Sequence, residues 1–303
     1  MDEILKALLV GGTGYLGSAI VDNFADMGLD VVGISRRGGR SPGQRVIRAI
    51  GNLNPHELIH EYQPDVVLLT AGNPDLDACE SDVSMSREMN VELVRRWATA
   101  IGHTASNITC VLFSSIYVFG QESPKEGLTE NDVPLPISQY GKDKLEAEII
   151  VRQHINHHLI IRLPWLLGSP GHIRDPLVGY IRKVMKGEKI ELDRNTRFPT
   201  DTTWVAACLL HLLHIGSCGT VHLSSKDATN RYELVKELAR SLNIDTNGTI
   251  GSNGIYPAPN LHTAIAMRPS FLKISTMRND VRGLPEAPTW KNIIVDRYRN
   301  WNF

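Results

Sequence analysis

The chain has 303 residues, 42% hydrophobic and 21% charged, so it can bury a substantial core in one large domain or in two that share a boundary. Its formal net charge of −1 at pH 7 argues against a nucleic-acid or membrane-surface role. The first apolar run, Ala7-Leu8-Leu9-Val10, meets glycines at once and is too short for a signal peptide or a membrane span, so a cytoplasmic protein is expected.

In chain order, residues 4–10 read as a buried parallel strand. The turn GGTGYLG follows, and then the amphipathic run SAIVDNFADMG, giving strand, glycine turn, helix. Gly11, Gly14 and Gly17 lie three apart, with Thr13, Tyr15 and Leu16 between them. Absent side chains let the backbone approach a pyrophosphate, and the helix N-terminus supplies partial positive charge. The second strand, DVVGIS, ends in Ser35-Arg36-Arg37, with no acid to accept the ribose hydroxyls of NAD. A hydroxyl and two guanidinium groups suit a 2′-phosphate, so NADPH is preferred over NADH.

A third short strand around Arg45 to Ile50 leads to Gly51-Asn52-Leu53, and NPHELIHEYQ reads as a helix. Residues 64–72 form a fourth strand ending in Ala71-Gly72. Asn52, Leu53, Ala71 and Gly72 are assigned to the cofactor cleft. This alternation predicts an α/β fold, a doubly wound parallel Rossmann sheet. One long helix, with Asn90 and Val91 inside it, is expected next, followed by the fifth strand, ITCVLFSS.

Ser114 and Ser115 stand where that strand leaves the sheet, the edge at which open α/β sheets bind ligands. After Pro134 and Pro136, a helix is predicted from Ser138 onward, and a spacing of four stacks Tyr140 and Lys144 on one face. The neighbouring ammonium should lower the pKa of the phenol and make Tyr140 a proton donor. Ser115, Tyr140 and Lys144 can then converge on one carbonyl oxygen. The four cysteines form no CxxC pair and should be reduced thiols. His154, His157 and His158, like His211 and His214, have a helical spacing that would allow a metal pair, but no closed ligand set completes a site in sequence, so no metal is expected.

GGTGYLG, SSIYVFG and YGKDK together resemble the extended short-chain dehydrogenase/reductases, with Ser115, Tyr140 and Lys144 as the triad. More narrowly, RLPWLLG (162–168), FPTDTTWVA (198–206), GTVHLSS (219–225) and RPSFLKIS (268–275) resemble the dTDP-4-dehydrorhamnose reductases. The resemblance implies an NADPH-dependent 4-ketoreductase acting on a nucleotide-linked 4-keto-6-deoxyhexose. It implies a dinucleotide-binding domain over 1–164, with 201–223 returning to it, and a smaller, interleaved C-terminal substrate lobe over most of 165–303. Trp165, Arg174, Arg197 and Arg268 become candidate contacts to the nucleotide diphosphate sugar, and a homodimer is compatible with the family. The chain departs from those reductases at Ile116, where an aspartate is usual, and at Gly171-His172-Ile173-Arg174-Asp175. Two alternatives remain open: an epimerase of the same fold with tightly held NAD, and a non-catalytic dinucleotide-binding regulatory subunit like that of methionine adenosyltransferase.

Overall fold

Short apolar runs separated by amphipathic segments give alternating strands and helices, and in the computed structural model these assemble around a parallel sheet. The structure describes residues 5–35, 48–49, 54–104, 107–244, 255–258, 265–299 and 301. The first half of the chain gives β1 (Lys6–Val10), α1 (Tyr15–Asp26), β2 (Asp30–Ser35), β3 (Arg48–Ala49), α2 (Pro55–Tyr62) and β4 (Val66–Leu69). It continues with α3 (Leu76–Ser81), α4 (Val83–Arg87), a π-helical turn (Glu88–Glu92), α5 (Leu93–Gly102), β5 (Thr109–Ser115), α6 (Gln139–His154) and β6 (His158–Leu163).

The long helix expected after β4 is therefore three helices and a π turn. Asp82 breaks it, because its carboxylate accepts the Met85 N–H at 2.9 Å and caps a new helix start.

The second half gives β7 (Leu166–Leu167), α7 (Val178–Met185), β8 (Ile190–Asp193), β9 (Thr200–Asp201), α8 (Thr202–His214), β10 (Gly219–His222), α9 (Arg231–Ser241), β11 (Ile255–Ala258) and α10 (Trp290–Tyr298). The main sheet has seven strands in the order β10-β6-β5-β4-β1-β2-β3, every pair parallel. The order reverses between β1 and β4, which opens a crevice at their carboxyl ends. Among the described residues, no helix is long and apolar enough to cross a membrane.

Strand alternation divides the core. Ala7 and Leu9 of β1 pack with α1 and α8 on one face, while Leu8 and Val10 pack with α2, α5 and α6 on the other. A separate apolar cluster joins Leu177 and Ile181 near α7 to Leu234 and Leu238 of α9 and Ile293 and Tyr298 of α10. β8 pairs with β11 beside it. The segment 243–260, whose richness in Asn, Gly and Pro predicts a long surface connection, contains a strand at Ile255–Ala258. Its Pro257 is tolerated because a two-stranded sheet leaves every strand an edge.

Candidate active site

The glycine turn is built for close approach. Gly11 has φ +101°, and a Cβ there would lie 2.7 Å from both the Ala71 nitrogen and Thr70 Oγ1. A Cβ on Gly17 would strike the Gly11 carbonyl oxygen, so Gly17 packs α1 onto the turn from behind. Gly14 is the N-cap of α1 and offers no side-chain acceptor, which leaves the first N–H groups of the helix available to an anion. Thr13 Oγ1 donates to Ser35 Oγ at 2.7 Å and ties the turn to the end of β2. A glycine cradle, open helix donors and a hydroxyl at the β2 end fit a dinucleotide. Arg36, Arg37, Asn52 and Leu53 lie outside the described residues.

At the end of β5, Ser115 is buried and its Oγ accepts the Tyr117 N–H at 3.2 Å, opening a short 3-10 turn over Ile116–Val118. Helix α6 starts against that turn. Ser138 caps it by accepting the Gly141 N–H at 3.1 Å, and a Cβ on Gly141 would collide with the Tyr117 carbonyl oxygen. Glycine at 141 is what lets the first turn of α6 bring Tyr140 beside Ser115. Asp143, fully buried, holds the helix in place by accepting Ser86 Oγ at 2.5 Å and Gln139 Nε2 at 2.8 Å.

The expected electrostatics of this pair are corrected by the fold. Burial pushes the Tyr140 phenol up from its ordinary value, and only the hydrogen bond to Ser115 pulls the other way. Lys144 donates to the Phe113 carbonyl at 2.6 Å, and burial brings its ammonium down to about 8 against an upward pull from Glu148. Burial therefore holds the phenol in its protonated form at neutral pH, while the lysine donates to the strand carbonyl.

A cavity of about 1660 Å³ joins these parts. Gly11, Thr13, Gly14, Tyr15, Leu16, Ser35, Ala71 and Gly72 line one arm, Ser115, Tyr140 and Lys144 the middle, and Trp165, Arg174, Arg197 and Arg268 the remainder. Asn90, in the π turn, pins the wall at the end of β4: its Oδ1 accepts the Asn73 N–H at 2.8 Å and its Nδ2 donates to the Asn73 carbonyl at 3.1 Å.

The three candidate arginines differ. Arg197 donates through Nη2 to both oxygens of Asp193, at 2.9 and 3.1 Å, and its guanidinium carbon lies 5.7 Å from the Trp165 ring centroid. Arg231 donates to the same carboxylate at 2.9 Å and lies 5.8 Å from the same ring. Two guanidinium groups share one buried acid, which leaves a net positive charge at the cavity wall. Arg268 instead donates to Asp77 at 3.1 Å, and Asp77 also accepts the Ile265 and Ala266 N–H groups, so Arg268 fastens a loop over α3. Arg174 is exposed at the rim.

Arg231, Asp193 and Gly141 are absent from the residues assigned by sequence. Gly141 carries a signal, since glycine in the first turns of a helix costs about 1 kcal/mol and calls for a packing reason. Arg231 and Asp193 carry none. Among the described residues, no group of three or more His, Cys, Asp or Glu could hold a metal ion, and all four cysteines are free, with Cys218 exposed.

A family model described as the RmlD substrate binding domain matches residues 5–301. Methionine adenosyltransferase 2 subunit beta of Mus musculus is 26% identical over 302 residues, covering 96% of this chain and 86% of that protein. The probable low-salt glycan biosynthesis reductase Agl14 of Haloferax volcanii is 31% identical over 238 residues, covering 74% and 76%. The crystal structure of dTDP-4-dehydrorhamnose reductase from Bacillus anthracis in complex with NADP superposes with a TM-score of 0.81 at 22% identity, covering 98% of this chain and 99% of that one.

Proposed function

The chain belongs to the RmlD substrate binding domain family, and from that premise we propose that it is an NADPH-dependent reductase of a nucleotide-linked 4-keto-6-deoxyhexose. One observation carries the reading: a single cavity joins a glycine turn, a Ser-Tyr-Lys constellation and a cationic wall on Trp165. The glycine turn and the α1 N-terminus hold the pyrophosphate, and Ser35 with Arg36 and Arg37 receives the 2′-phosphate that distinguishes NADPH from NADH. When bound, the dihydronicotinamide supplies a hydride to the keto carbon.

Tyr140 holds the proton that the nascent alkoxide requires, and its raised pKa keeps that proton in place until charge develops. Ser115 donates a hydrogen bond to the same oxygen, and Lys144 sets the local positive charge. Arg197 and Arg231 hold the diphosphate, because their planar forks match phosphate oxygens and one shared carboxylate does not neutralise both. Ile116, Tyr117, Phe198 and Leu272 give the cavity an apolar wall suited to a deoxygenated carbon. The test is incubation with NADPH and a panel of nucleotide-linked 4-keto-6-deoxysugars. A product two hydrogens heavier supports the reading, and no turnover across the panel overturns it.

A second reading is favoured by the mouse relative, which matches along nearly the whole chain and is by name the subunit of another enzyme. In that case the dinucleotide site would serve a regulatory subunit. It requires a stable complex with a separate catalytic chain together with complete absence of keto-sugar turnover.

A further inference from the structure

Residues 168–175, which include the stretch 171–175 that departs from the reductase pattern in sequence, embrace the glycine turn. His172 Nε2 donates to the Thr13 carbonyl at 3.0 Å, which leaves Nδ1 to accept the Arg174 N–H at 3.0 Å. Asp175 is 5% exposed, and no salt bridge reaches it among the described residues. A buried carboxylate is tolerated only with its lone pairs satisfied, and four neutral donors do so here. Oδ1 accepts the Leu177 and Val178 N–H groups at 2.9 and 3.2 Å, which caps α7. Oδ2 accepts two phenols, Tyr15 at 2.8 Å and Tyr298 at 2.7 Å. Tyr15 is the first residue of α1, immediately after the glycine cap, and Tyr298 is the last of α10. The phenols are themselves oriented by backbone donors, Ser169 N–H to Tyr15 and Gly168 N–H to Tyr298, each at 3.2 Å.

We propose that Asp175 is a positioning residue that couples the dinucleotide turn to the nucleotide-diphosphate wall, so that each ligand raises the affinity for the other. The coupling rests on the reading above, in which one cavity takes both. The physical path is short. Tyr15 reports the position of the turn to Oδ2, and Oδ1 sets the start of α7. Helix α7 packs in one apolar core with β8 and α9, the elements that carry Asp193 and Arg231. Displacing the turn from this core strips a buried carboxylate of charge-assisted hydrogen bonds, which is far costlier than losing a solvated contact. A cofactor that fixes the turn therefore also fixes the wall, and the thermodynamics of linkage make the effect reciprocal.

The test is calorimetric titration of the full chain with dTDP, and separately with UDP, in the absence and presence of saturating NADP+. It is run on the wild type, Asp175→Asn and Tyr298→Phe, with circular dichroism to verify folding. In the wild type, NADP+ should tighten nucleotide binding about fivefold or more. In both variants the ratio should fall below about twofold while NADP+ still binds, an outcome that a loss of stability alone does not produce. Tyr298→Phe removes one hydroxyl and touches neither ligand arm, so it tests the coupling even if Asp175→Asn folds poorly. A wild type that binds both ligands independently, or variants that keep the wild-type ratio, overturns the coupling alone. A wild type that binds neither nucleotide nor NADP+ overturns the two-ligand reading and the coupling with it.

Discussion

The ammonium nitrogen of Lys144 lies 2.6 Å from the carbonyl oxygen of Phe113, inside β5 and two residues before Ser115. Lys144 is 6% exposed, and burial lowers its pKa from 10.5 to about 8. Below pH 8 it is charged in both the folded and unfolded chain. Between pH 8 and 10.5 the unfolded chain binds more protons, so stability contributed at this site rises with pH across that window and is lost again as pH falls. The rise is at most about 3 kcal/mol. Urea unfolding at pH 7.5 and 9.5 should show the wild type gaining stability relative to Lys144→Met. Parallel profiles would remove the buried, depressed ammonium from the account.

Tyr140→Phe keeps the ring, the packing against Tyr117 and the α6 cap but deletes the transferable proton. If Tyr140 is the general acid, turnover should drop by about 10²–10⁴-fold. Affinity for NADPH should change by no more than about threefold, because no phosphate-binding group is altered. Stopped-flow fluorescence for binding and single-turnover kinetics for reduction separate the two. A variant that reduces keto-sugar at near wild-type rate excludes the phenol as the donor.

What was legible in the chain was local. The strand, glycine turn and helix of residues 6–26 follow from glycines three apart between an apolar run and an amphipathic one. The placement of Tyr140 and Lys144 follows from helical spacing. Their electrostatics did not follow, because the lysine's partner is Phe113, 31 positions away, and only the sheet brings it near. Arg231 meets Asp193 across 38 positions, and Tyr15 meets Asp175 across 160. Such pairs depend on how α7, α9 and α10 pack, and no periodicity in the sequence encodes that. The break at Asp82 was within reach, since an aspartate directly before a helical run is an N-cap signal.

Arg231→Met should weaken the proposed diphosphate grip without touching the reacting centre. A charge-assisted hydrogen bond contributes about 1.5–3 kcal/mol, so KM for the nucleotide sugar should rise about 10- to 100-fold with kcat changed little. Arg231→Lys should recover only part of the loss, because an ammonium does not reproduce the planar fork or its stacking on Trp165. Steady-state kinetics on the three forms decide the point. Unchanged KM in Arg231→Met would assign the pair of arginines to holding Asp193 alone.

Behind the triad, Glu148 is fully buried and receives four donors: Ser114 Oγ at 2.6 Å, Arg162 Nε at 3.0 Å, Arg162 Nη2 at 2.8 Å and Arg152 Nη2 at 2.9 Å. Burial alone would raise its pKa, but Arg162 and Ser114 hold it below the ordinary carboxylate value. The stability it contributes is therefore present above about pH 4.5 and lost as pH falls through the folded-state value. Glu148→Ala strands the guanidinium of Arg162, which is 2% exposed, and should cost about 3–5 kcal/mol at pH 7. Replacing both partners, as Glu148→Leu with Arg162→Met, should cost less than the single change, since no unpaired charge is left in the core. Because Glu148 also pulls the Lys144 pKa upward, Glu148→Gln should move the lysine titration below 8, measurable as a shift of the pH-dependent stability window described for Lys144. A single alanine variant within about 1 kcal/mol of the wild type, with the lysine window unmoved, would show that this buried network is electrostatically idle and that β5 and α6 are held by packing alone.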